Sequence, residues 1–503
     1  MFDSLGSCLV RQARIIDLGD DATAAKDPVD VRITDGVITE IDPHLQRRGG
    51  EDLIEAGGLW ALPGLWDQHV HLGQWVALRG RLDLSTTRSE EEACAVVAAA
   101  VSTRSDRAGT TVQGFGHRPA TWSHQPTVAA LDAVSGSIPV VLISGDAHHG
   151  WLNSAALQAL GLPSRTGIIE EAEWFALFPR LAELPGAATD VERGLTRVLA
   201  DAAARGVTGI VDLEFADNPS LWSARQPPSV RIRAGFYPPH LDTILSTGLR
   251  TGDRLPGSGG LATLGPLKII TDGSLNTRTA WCCEPYADGP ALPYGRQNVP
   301  PAELESLLHA ATENGLEVAV HAIGDAAVRD ALDCFTTTGA RGTIEHAQLI
   351  RESDIRRMAA LGVHASVQPA HLLDDREVCR QCWPDRMNDC FRFGSMITAG
   401  VTVVLGSDAP VSPLDPWLAM AASVHRGHDG EEPWQQAESL SVRQALACST
   451  DGVTAVAAGG PGDLLLTPEN PLLLQGSAPE RASALRCWPV MATIAAGRMT
   501  HAG

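Results

Sequence analysis

ALPGLWDQHVH, residues 61–71, is an apolar, strand-like run that ends in two histidines. Seven more apolar runs follow it, and segments with helical patterns lie between them. These runs are GVTGIVDLE (206–214), VRIRAGFYP (230–238), LGPLKIITDGS (264–274), LEVAVHAIGD (316–325), GTIEHAQLI (342–350), VHASVQPAHLL (363–373) and VTVVLGSDAP (401–410). Alternation of apolar strands with helices is typical of a parallel α/β fold. Eight such units predict a (β/α)8 barrel of the TIM type.

The first two of these strands are too far apart in the sequence to be joined by a simple connection, because residues 74–204 separate them. This segment has strand signals of its own, in GTTVQGFGH and IPVVLISGDAHH. We therefore expect residues 74–204 to form an inserted α/β subdomain that covers the mouth of the barrel as a lid.

The two ends of the chain differ in character from the middle. VRITDGVITEI (31–41) carries an Asp35-Gly36 turn between alternating apolar residues, which indicates a β-hairpin. PGDLLLTPENPLLL (461–474) contains short apolar runs like those of the N-terminal segment. We expect residues 1–60 and 456–503 to build one small β-sandwich domain from both termini, with the barrel in 61–455.

The composition restricts the classes of partner. The 503-residue chain has a formal net charge of −21, which disfavours binding to nucleic acid or to an anionic membrane surface. No apolar run reaches the ~18 residues that a membrane helix needs, and the N-terminus does not have the pattern of a signal peptide. The 10 cysteines are dispersed, as expected for reduced thiols. We expect a cytoplasmic protein that acts on a small molecule and, if it oligomerises, forms a homodimer.

Lysine is almost absent from this chain, and its two positions differ in their surroundings. Lys26 lies in a polar stretch, whereas Lys268 lies inside the apolar run LGPLKIITDGS. A buried lysine amine can lose its proton and react, which an arginine cannot do. Lys268 is therefore either a reactive amine or a buried ammonium paired with an acid.

Polar residues stand at or near the carboxyl ends of the predicted barrel strands, where the active sites of such barrels lie. In the first strand two histidines follow an H-x-H pattern, and their i, i+2 spacing directs both imidazoles to one face. Histidine and carboxylate side chains that converge on one barrel mouth match a site for one or two divalent metal ions. The candidate ligands are His69, His71, Lys268, His321, His346 and Asp408.

Seven segments between residues 63 and 417 resemble those of the metal-dependent amidohydrolase superfamily. The resemblance is strongest to the branch of enzymes similar to N-substituted formamide deformylase, amidohydrolase family 3. The segments are PGLWDQHVH, DAHHGWLNSAAL, LKIITDGSLNTRTA, HAIGDAAV, IEHAQ, VQPAH and GSDAPVSPLDPW.

The resemblance implies a binuclear metal centre. His69 and His71 would bind the more buried ion, and His321 and His346 the more exposed one. Lys268, carboxylated by carbon dioxide, would bridge the two ions as a carbamate. Zinc is the expected metal for so many histidines, and manganese, iron or cobalt would fit the same ligands.

The resemblance also implies roles in catalysis and in substrate binding. Asp408 would ligate the first metal and accept a proton from the attacking water, with Lys268 and His346 as the other catalytic residues. The residues expected to line the substrate pocket are His148, Asn153, Arg278 and His371.

The predicted function is hydrolysis of a carbon–nitrogen bond in an amide or an N-substituted formamide. The first alternative is a mononuclear deaminase or dehalogenase on the same barrel, which would bind one ion per chain. A non-catalytic scaffold is a second alternative, although such proteins tend to lose their ligands. A lyase that releases carbon dioxide is a third.

Overall fold

The computed structural model describes residues 5–19, 27–103, 110–117, 119, 122–144, 149–289 and 291–503. The chain forms two compact units, one comprising Met1–Leu72 and Leu199–Gly503 and the other Gly73–Val198. Within the described residues, no helix is long and apolar enough to cross a membrane.

The strands of the described part are numbered in chain order. They are β1 (Cys8–Ile15), β2 (Val29–Thr34), β3 (Val37–Asp42), β4 (Asp52–Glu55), β5 (Trp60–Pro63), β6 (Leu65–Val70), β7 (Leu82–Asp83), β8 (Val112–His117), β9 (Val140–Ser144), β10 (His149–Leu152), β11 (Ile169–Glu170), β12 (Val207–Asp212), β13 (Arg231–Phe236), β14 (Ala262–Ile270), β15 (Val318–Ala322), β16 (Gly342–His346), β17 (His364–Val367), β18 (Val403–Leu405), β19 (Leu464–Thr467), β20 (Ala492–Ala495) and β21 (Arg498–Ala502).

The α-helices are numbered in the same way. They are α1 (Leu72–Arg79), α2 (Glu90–Ser102), α3 (Val128–Ser135), α4 (Ser154–Ala159), α5 (Glu171–Leu177), α6 (Ala187–Ala204), α7 (Asn218–Ala224), α8 (Leu241–Thr247), α9 (Pro301–Glu313), α10 (Asp325–Thr338), α11 (Glu352–Leu361), α12 (His371–Cys382), α13 (Phe393–Thr398), α14 (Pro416–His425), α15 (Val442–Ala447) and α16 (Ala478–Arg486).

A parallel barrel forms the centre of the first unit, as predicted from the eight apolar runs. Its strands follow the order β6-β12-β13-β14-β15-β16-β17-β18. A parallel bridge between Val70 and Ala409 brings the chain after β18 back to β6. Every residue of β12 is buried, as expected for a strand covered on both faces. The fold is therefore an α/β barrel of the TIM type.

Strands from both chain ends make a second sheet within this unit, in the order β21-β20-β19-β5-β1-β2-β3, with β4 also paired to β1. Asp35 and Gly36 join β2 to β3 with φ angles of 48° and 72°, the left-handed conformation of a tight hairpin turn. Apolar side chains from both termini, Val10 and Ile33 with Leu464 and Ile494, share one core. A sheet with contributions from both termini is thus present.

The second unit contains a five-stranded sheet in the order β11-β10-β9-β8-β7. The two segments that we expected to be strands here form β8 and β9, which pair in parallel. Buried side chains of α2 and α3, such as Val97 and Leu131, pack with Val112 and Val140 of this sheet.

Candidate metal centre

The barrel brings the six predicted ligands into one cluster. His69 lies near the end of β6 and His71 directly after it, while His321 and His346 lie in β15 and β16. Imidazole ring centroids are 5.1 Å apart for His69 and His346, and 4.5 Å apart for His321 and His346. Because parallel strands end at the same rim of a barrel, residues far apart in the sequence meet there.

Asp408 joins the two histidines of the H-x-H pattern. Its Oδ1 lies 3.4 Å from His69 Nε2 and 3.4 Å from His71 Nε2. In a tetrahedral zinc site with bonds of about 2.0–2.1 Å, neighbouring ligand atoms are about 3.3–3.4 Å apart. Ligand atoms of these three residues also lie within 4.8 Å of one another. The group therefore has the dimensions of a site for one divalent ion.

A second group of three ligand atoms consists of His346, His371 and Asp408, again within 4.8 Å of one another. His371 Nε2 is 3.8 Å from Asp408 Oδ2. Neither His346 Nδ1 nor His371 Nε2, both buried, has a hydrogen-bond partner among the described residues. Such buried nitrogens without partners are the atoms expected to bind a ligand.

His321 is turned differently from the other histidines. Its Nε2 lies 3.3 Å from the carbonyl oxygen of Gly273 and 3.4 Å from Asp272 Oδ1. Nδ1 is therefore the ring nitrogen left for a metal. His321 belongs to neither three-atom group in the barrel.

Lys268 is only 1% exposed, and its Nζ lies 3.4 Å from His69 Nε2. Burial lowers the pKa of the Lys268 amine, against the opposing charges of Glu345 and Asp408. A lowered pKa increases the share of neutral amine, which is the form that reacts with carbon dioxide. The position and the pKa of Lys268 therefore fit a reactive amine.

Burial also favours the neutral form of His69, His321 and His346, as metal ligation requires. It lowers the pKa of His321 to about 3, with the nearby Lys268 as a further cause, and lowers the pKa of His346 well below its usual value. Burial alone would raise the pKa of the Asp408 carboxyl, but His69 and the hydrogen bond with His71 outweigh it and hold that pKa well below normal. The site therefore combines neutral nitrogens with an ionised carboxylate.

Backbone contacts hold the ends of β6 and β18 together beneath this cluster. Asp408 N–H donates to His69 O at 2.7 Å, and His71 N–H donates to Ala409 O at 2.9 Å. The Asp67 carboxylate accepts hydrogen bonds from Ser407 N–H and from His69 N–H. His346 and Asp408 have φ angles of 72° and 56°, a left-handed conformation that is strained for non-glycine residues and is found at functional sites.

Glu345 is a candidate site residue that the sequence analysis missed. This buried carboxylate lies 2.6 Å from His69 Nδ1, opposite the Nε2 that faces Asp408. Burial alone would raise the pKa of Glu345, but His69 and Lys268 lower it to about 2. A carboxylate on the far nitrogen of a metal-binding histidine fixes its tautomer and its orientation. The available signal was an acid directly before His346 in an otherwise apolar strand.

The structure places the predicted substrate-pocket residues in different surroundings. His148 lies outside the described residues. Asn153 is fully buried and caps α4: its Oδ1 accepts from Val140 N–H and Ala156 N–H, and its Nδ2 donates to Ser135 Oγ and Ile138 O. These four bonds use the whole amide group and indicate a structural role, while the assignment of Asn153 to the substrate pocket stays a prediction.

Arg278 and His371 remain predictions as pocket residues. Arg278 Nε donates to Asp288 Oδ2 at 3.0 Å, and its Nη1 donates to Asn276 O at 2.9 Å. His371 lies inside the cluster and is stacked 6.1 Å from His346, which makes it a candidate ligand as well.

The donor set fits a divalent metal. Imidazole nitrogens with a carboxylate suit zinc, and also manganese, iron or cobalt. His346 Nδ1 and His371 Nε2, which have no hydrogen-bond partner among the described residues, would each gain a bond to a metal. His69, His71 and Asp408 would hold one ion, whereas Lys268, His321 and His346 are the residues available to a second.

Fold and site together define a metal-dependent hydrolase on an α/β barrel. The sequence model of the amidohydrolase family matches residues 52–497. The chain belongs to this family, which confirms the resemblance drawn from its motifs.

Several known proteins are similar over most of their length. The putative amidohydrolase YtcJ of Bacillus subtilis is 28% identical over 458 residues, which cover 85% of this chain and 86% of that protein. The N-substituted formamide deformylase of Arthrobacter pascens is 25% identical over 465 residues, 84% of each chain. An uncharacterized metal-dependent hydrolase from Pyrococcus furiosus shares the fold, with a TM-score of 0.78 and 23% identity over 93% of this chain and 100% of that one.

Proposed function

We propose that this protein hydrolyses the carbon–nitrogen bond of an amide, and specifically of an N-substituted formamide with an apolar group on nitrogen. Family membership supports hydrolysis. The similarity to N-substituted formamide deformylase over 84% of the chain supports this bond among those that such enzymes cleave. The net charge of −21 disfavours nucleic acid and an anionic membrane surface as partners, and we propose that the protein acts on a small molecule in the cytoplasm.

One observation carries the proposal: an ionised carboxylate lies within 3.4 Å of two imidazoles, beside a buried amine. Asp408 Oδ1 is 3.4 Å from His69 Nε2 and from His71 Nε2. Lys268 Nζ is 3.4 Å from that same nitrogen of His69. This arrangement suits the hydrolysis of an unactivated acyl bond, in which a proton must be removed from water and then delivered to nitrogen.

Asp408 is the proposed general base. When bound, divalent metals, with zinc as our first choice, would supply a water of lowered pKa and polarise the scissile carbonyl. The Asp408 carboxylate takes a proton from the attacking water and later returns it to the leaving nitrogen, which departs as the amine. The low pKa of this carboxyl keeps it ready to accept a proton at neutral pH.

Lys268 is the proposed bridge of a binuclear centre. Its neutral amine would attack the carbon of carbon dioxide, so that an N–C bond forms, the π electrons of one C=O bond move to its oxygen, and one amine proton passes to water. The resulting carbamate would carry one negative charge and two oxygens, which are suitable ligands for divalent ions. His69 and His71 would hold the first ion, and His321 and His346 the second.

Two exposed apolar side chains support an apolar group on the substrate. Phe215, which follows β12, is 53% exposed, and Val411, three residues after Asp408, is 66% exposed. Phe215 stacks on His71, with ring centroids 5.2 Å apart. Large apolar side chains left open beside a reactive centre are typical of a ligand-binding wall.

A mononuclear deaminase or dehalogenase is the second candidate function. The compact group of His69, His71 and Asp408 would hold one ion without help from Lys268. Metal content decides between the two, because about one ion per chain in fully active protein would favour the mononuclear enzyme.

The test is a screen for amine release. Metal-reconstituted protein is incubated with N-formyl and N-acetyl derivatives of aliphatic and aromatic amines, and the freed amine is detected with an amine-reactive dye. Asp408→Asn is the matched control, and we expect it to reduce kcat by about 10²–10⁴ with the fold kept. No amine from any formamide or amide, at full metal content, would reject the proposal, and near-normal kcat in the variant would reject Asp408 as the base.

A further inference from the structure

The two histidines of the H-x-H pattern are supported in different ways. His69 has a carboxylate on its far side, because Glu345 Oε2 lies 2.6 Å from its Nδ1. His71 Nδ1 is also buried, yet it has no hydrogen-bond partner among the described residues. Metal-binding histidines almost always use the second nitrogen to fix their orientation. His71 must therefore be oriented by another contact.

That contact is an aromatic stack. The ring of Phe215 lies nearly parallel to the imidazole of His71, with an interplanar angle of 8° and a centroid distance of 5.2 Å. Phe215 also stacks on Tyr237 at 4.8 Å and 25°. Tyr237 is itself fixed, since its side chain is buried and its hydroxyl donates to Leu213 O at 2.9 Å. Phe215 is thus part of a stack that ends at a predicted ligand.

The exposure of Phe215 argues against an ordinary packing role. A phenylalanine that served only the core would be buried, whereas 53% of this one is exposed. Parallel stacking restricts rotation of the imidazole about its bond to Cβ. It also leaves Nε2 facing Asp408 Oδ1, 3.4 Å away.

We propose that Phe215 is a positioning residue for His71, and that its ring orients the imidazole, whose Nδ1 has no hydrogen-bond partner among the described residues. The inference rests on the proposed metal centre, but not on the identity of the substrate. Its consequence is measurable without turnover, because an imidazole that is free to rotate binds a metal less tightly. Aromatic pairs of this kind contribute enough to change affinity by roughly 3- to 10-fold.

The experiment compares Phe215→Leu with Phe215→Tyr. Leucine keeps an apolar side chain but removes the ring, whereas tyrosine keeps the ring. Tyr294→Leu is the matched control, because Tyr294 is also a half-exposed aromatic residue, at 45%. Metal affinity is measured by competition with a chromogenic chelator, and the visible spectrum of the cobalt-loaded protein reports ligand geometry. Thermal unfolding of the metal-free variants shows that each is folded.

We expect Phe215→Leu to weaken metal binding by roughly 3- to 10-fold and to alter the cobalt spectrum. Phe215→Tyr should restore both properties, and Tyr294→Leu should leave them unchanged. Unchanged affinity and spectrum in Phe215→Leu would overturn the inference and leave Phe215 as a wall of the substrate pocket only. A wild-type protein that binds metal but releases no amine would instead contradict the proposed function, with the role of Phe215 still decided by affinity.

Discussion

Lys268 shows how the position of a single residue in a sequence can indicate chemistry. A chain that uses arginine almost throughout keeps a lysine in an apolar strand, and that lysine is buried against a predicted metal ligand. Its burial lowers the pKa of the amine, which is the condition for carbamate formation.

Replacing Lys268 tests this interpretation. We expect Lys268→Ala to lose the second metal ion and most activity, because no bridging oxygens remain. Short carboxylates such as acetate or propionate should restore part of both by occupying the vacated space. Lys268→Met fills that space with an apolar group, so it should lose metal without being rescued. Metal content by emission spectrometry and turnover of the same samples are the measurements, and an unchanged Lys268→Ala would remove the bridge from the mechanism.

A second prediction for a single residue concerns Glu345. We expect Glu345→Gln to weaken metal binding by about 10- to 100-fold, since the amide no longer stabilises the tautomer of His69 as a carboxylate does. Glu303→Gln, at an exposed acid of α9, is the control that should bind metal normally. Chelator competition measures both, and equal affinities would show that His69 is held by other contacts.

The site residues that could be predicted from the sequence are polar or charged side chains within apolar, strand-like runs. Histidines at strand ends and a lysine in an apolar strand stand out in the sequence, and the barrel brings them together. Glu345 is an acid next to a predicted ligand, but its role was not predictable, because it depends on which residue of another strand faces it. The structural role of Asn153 was not predictable for a related reason: its hydrogen bonds are formed with Val140 and Ser135, which no sequence spacing reveals.

At the scale of elements, β2 carries a buried ion pair that is open to a direct test. Arg32 is 2% exposed, and its guanidinium contacts Glu51 at 2.7 Å and Glu40 at 2.5 Å. Removing one partner of a buried pair leaves the other charge without compensation, which costs about 3–5 kcal/mol. We expect this loss in the free energy of unfolding of Arg32→Met, measured by urea titration.

Arg48→Met is the matched control, because Arg48 contacts the same Glu40 but its side chain is 59% exposed. An exposed pair contributes about 0–1 kcal/mol. Equal losses in the two variants would show that burial of Arg32 adds nothing to its contribution.

Strand positions were predictable because buried parallel strands are apolar throughout, but their ends were not. The run VHASVQPAHLL (363–373) forms β17 only as far as Val367, and His371 begins α12. Similarly, VTVVLGSDAP (401–410) is a strand only over Val403–Leu405. The polar residues that follow belong to loops, whose course depends on tertiary contacts such as that between Asp408 N–H and His69 O. The apolar pattern therefore locates a strand, but the conformation of the loops that carry the site residues can be read only from the structure.

At the scale of the whole molecule, a bound metal would connect distant parts of the barrel. Ligands from β6, β15, β16 and the segment after β18 come from residues 69 to 408 of the chain. A ligand that binds only the folded protein stabilises it by about 2.7 kcal/mol when its free concentration is 100 times Kd.

Metal removal is therefore expected to lower the unfolding temperature. We expect calorimetry of chelator-treated protein to show the decrease, and added zinc to reverse it. The double variant His69→Ala/His71→Ala should show a smaller difference between its unfolding temperatures with and without metal, because only the ligands of the second ion remain. If neither chelator nor zinc changes the unfolding temperature of the wild-type protein, the metal does not stabilise the fold.

The most direct test of the metal centre is an anomalous-scattering map from crystals of the metal-loaded protein, recorded at the absorption edge of the metal. We predict two peaks, one in contact with His69, His71 and Asp408, and the other beside His321 and His346, with carbamate density joining Lys268 to both. A map without a peak among these residues, from crystals supplied with metal, would contradict a metal centre at this barrel mouth.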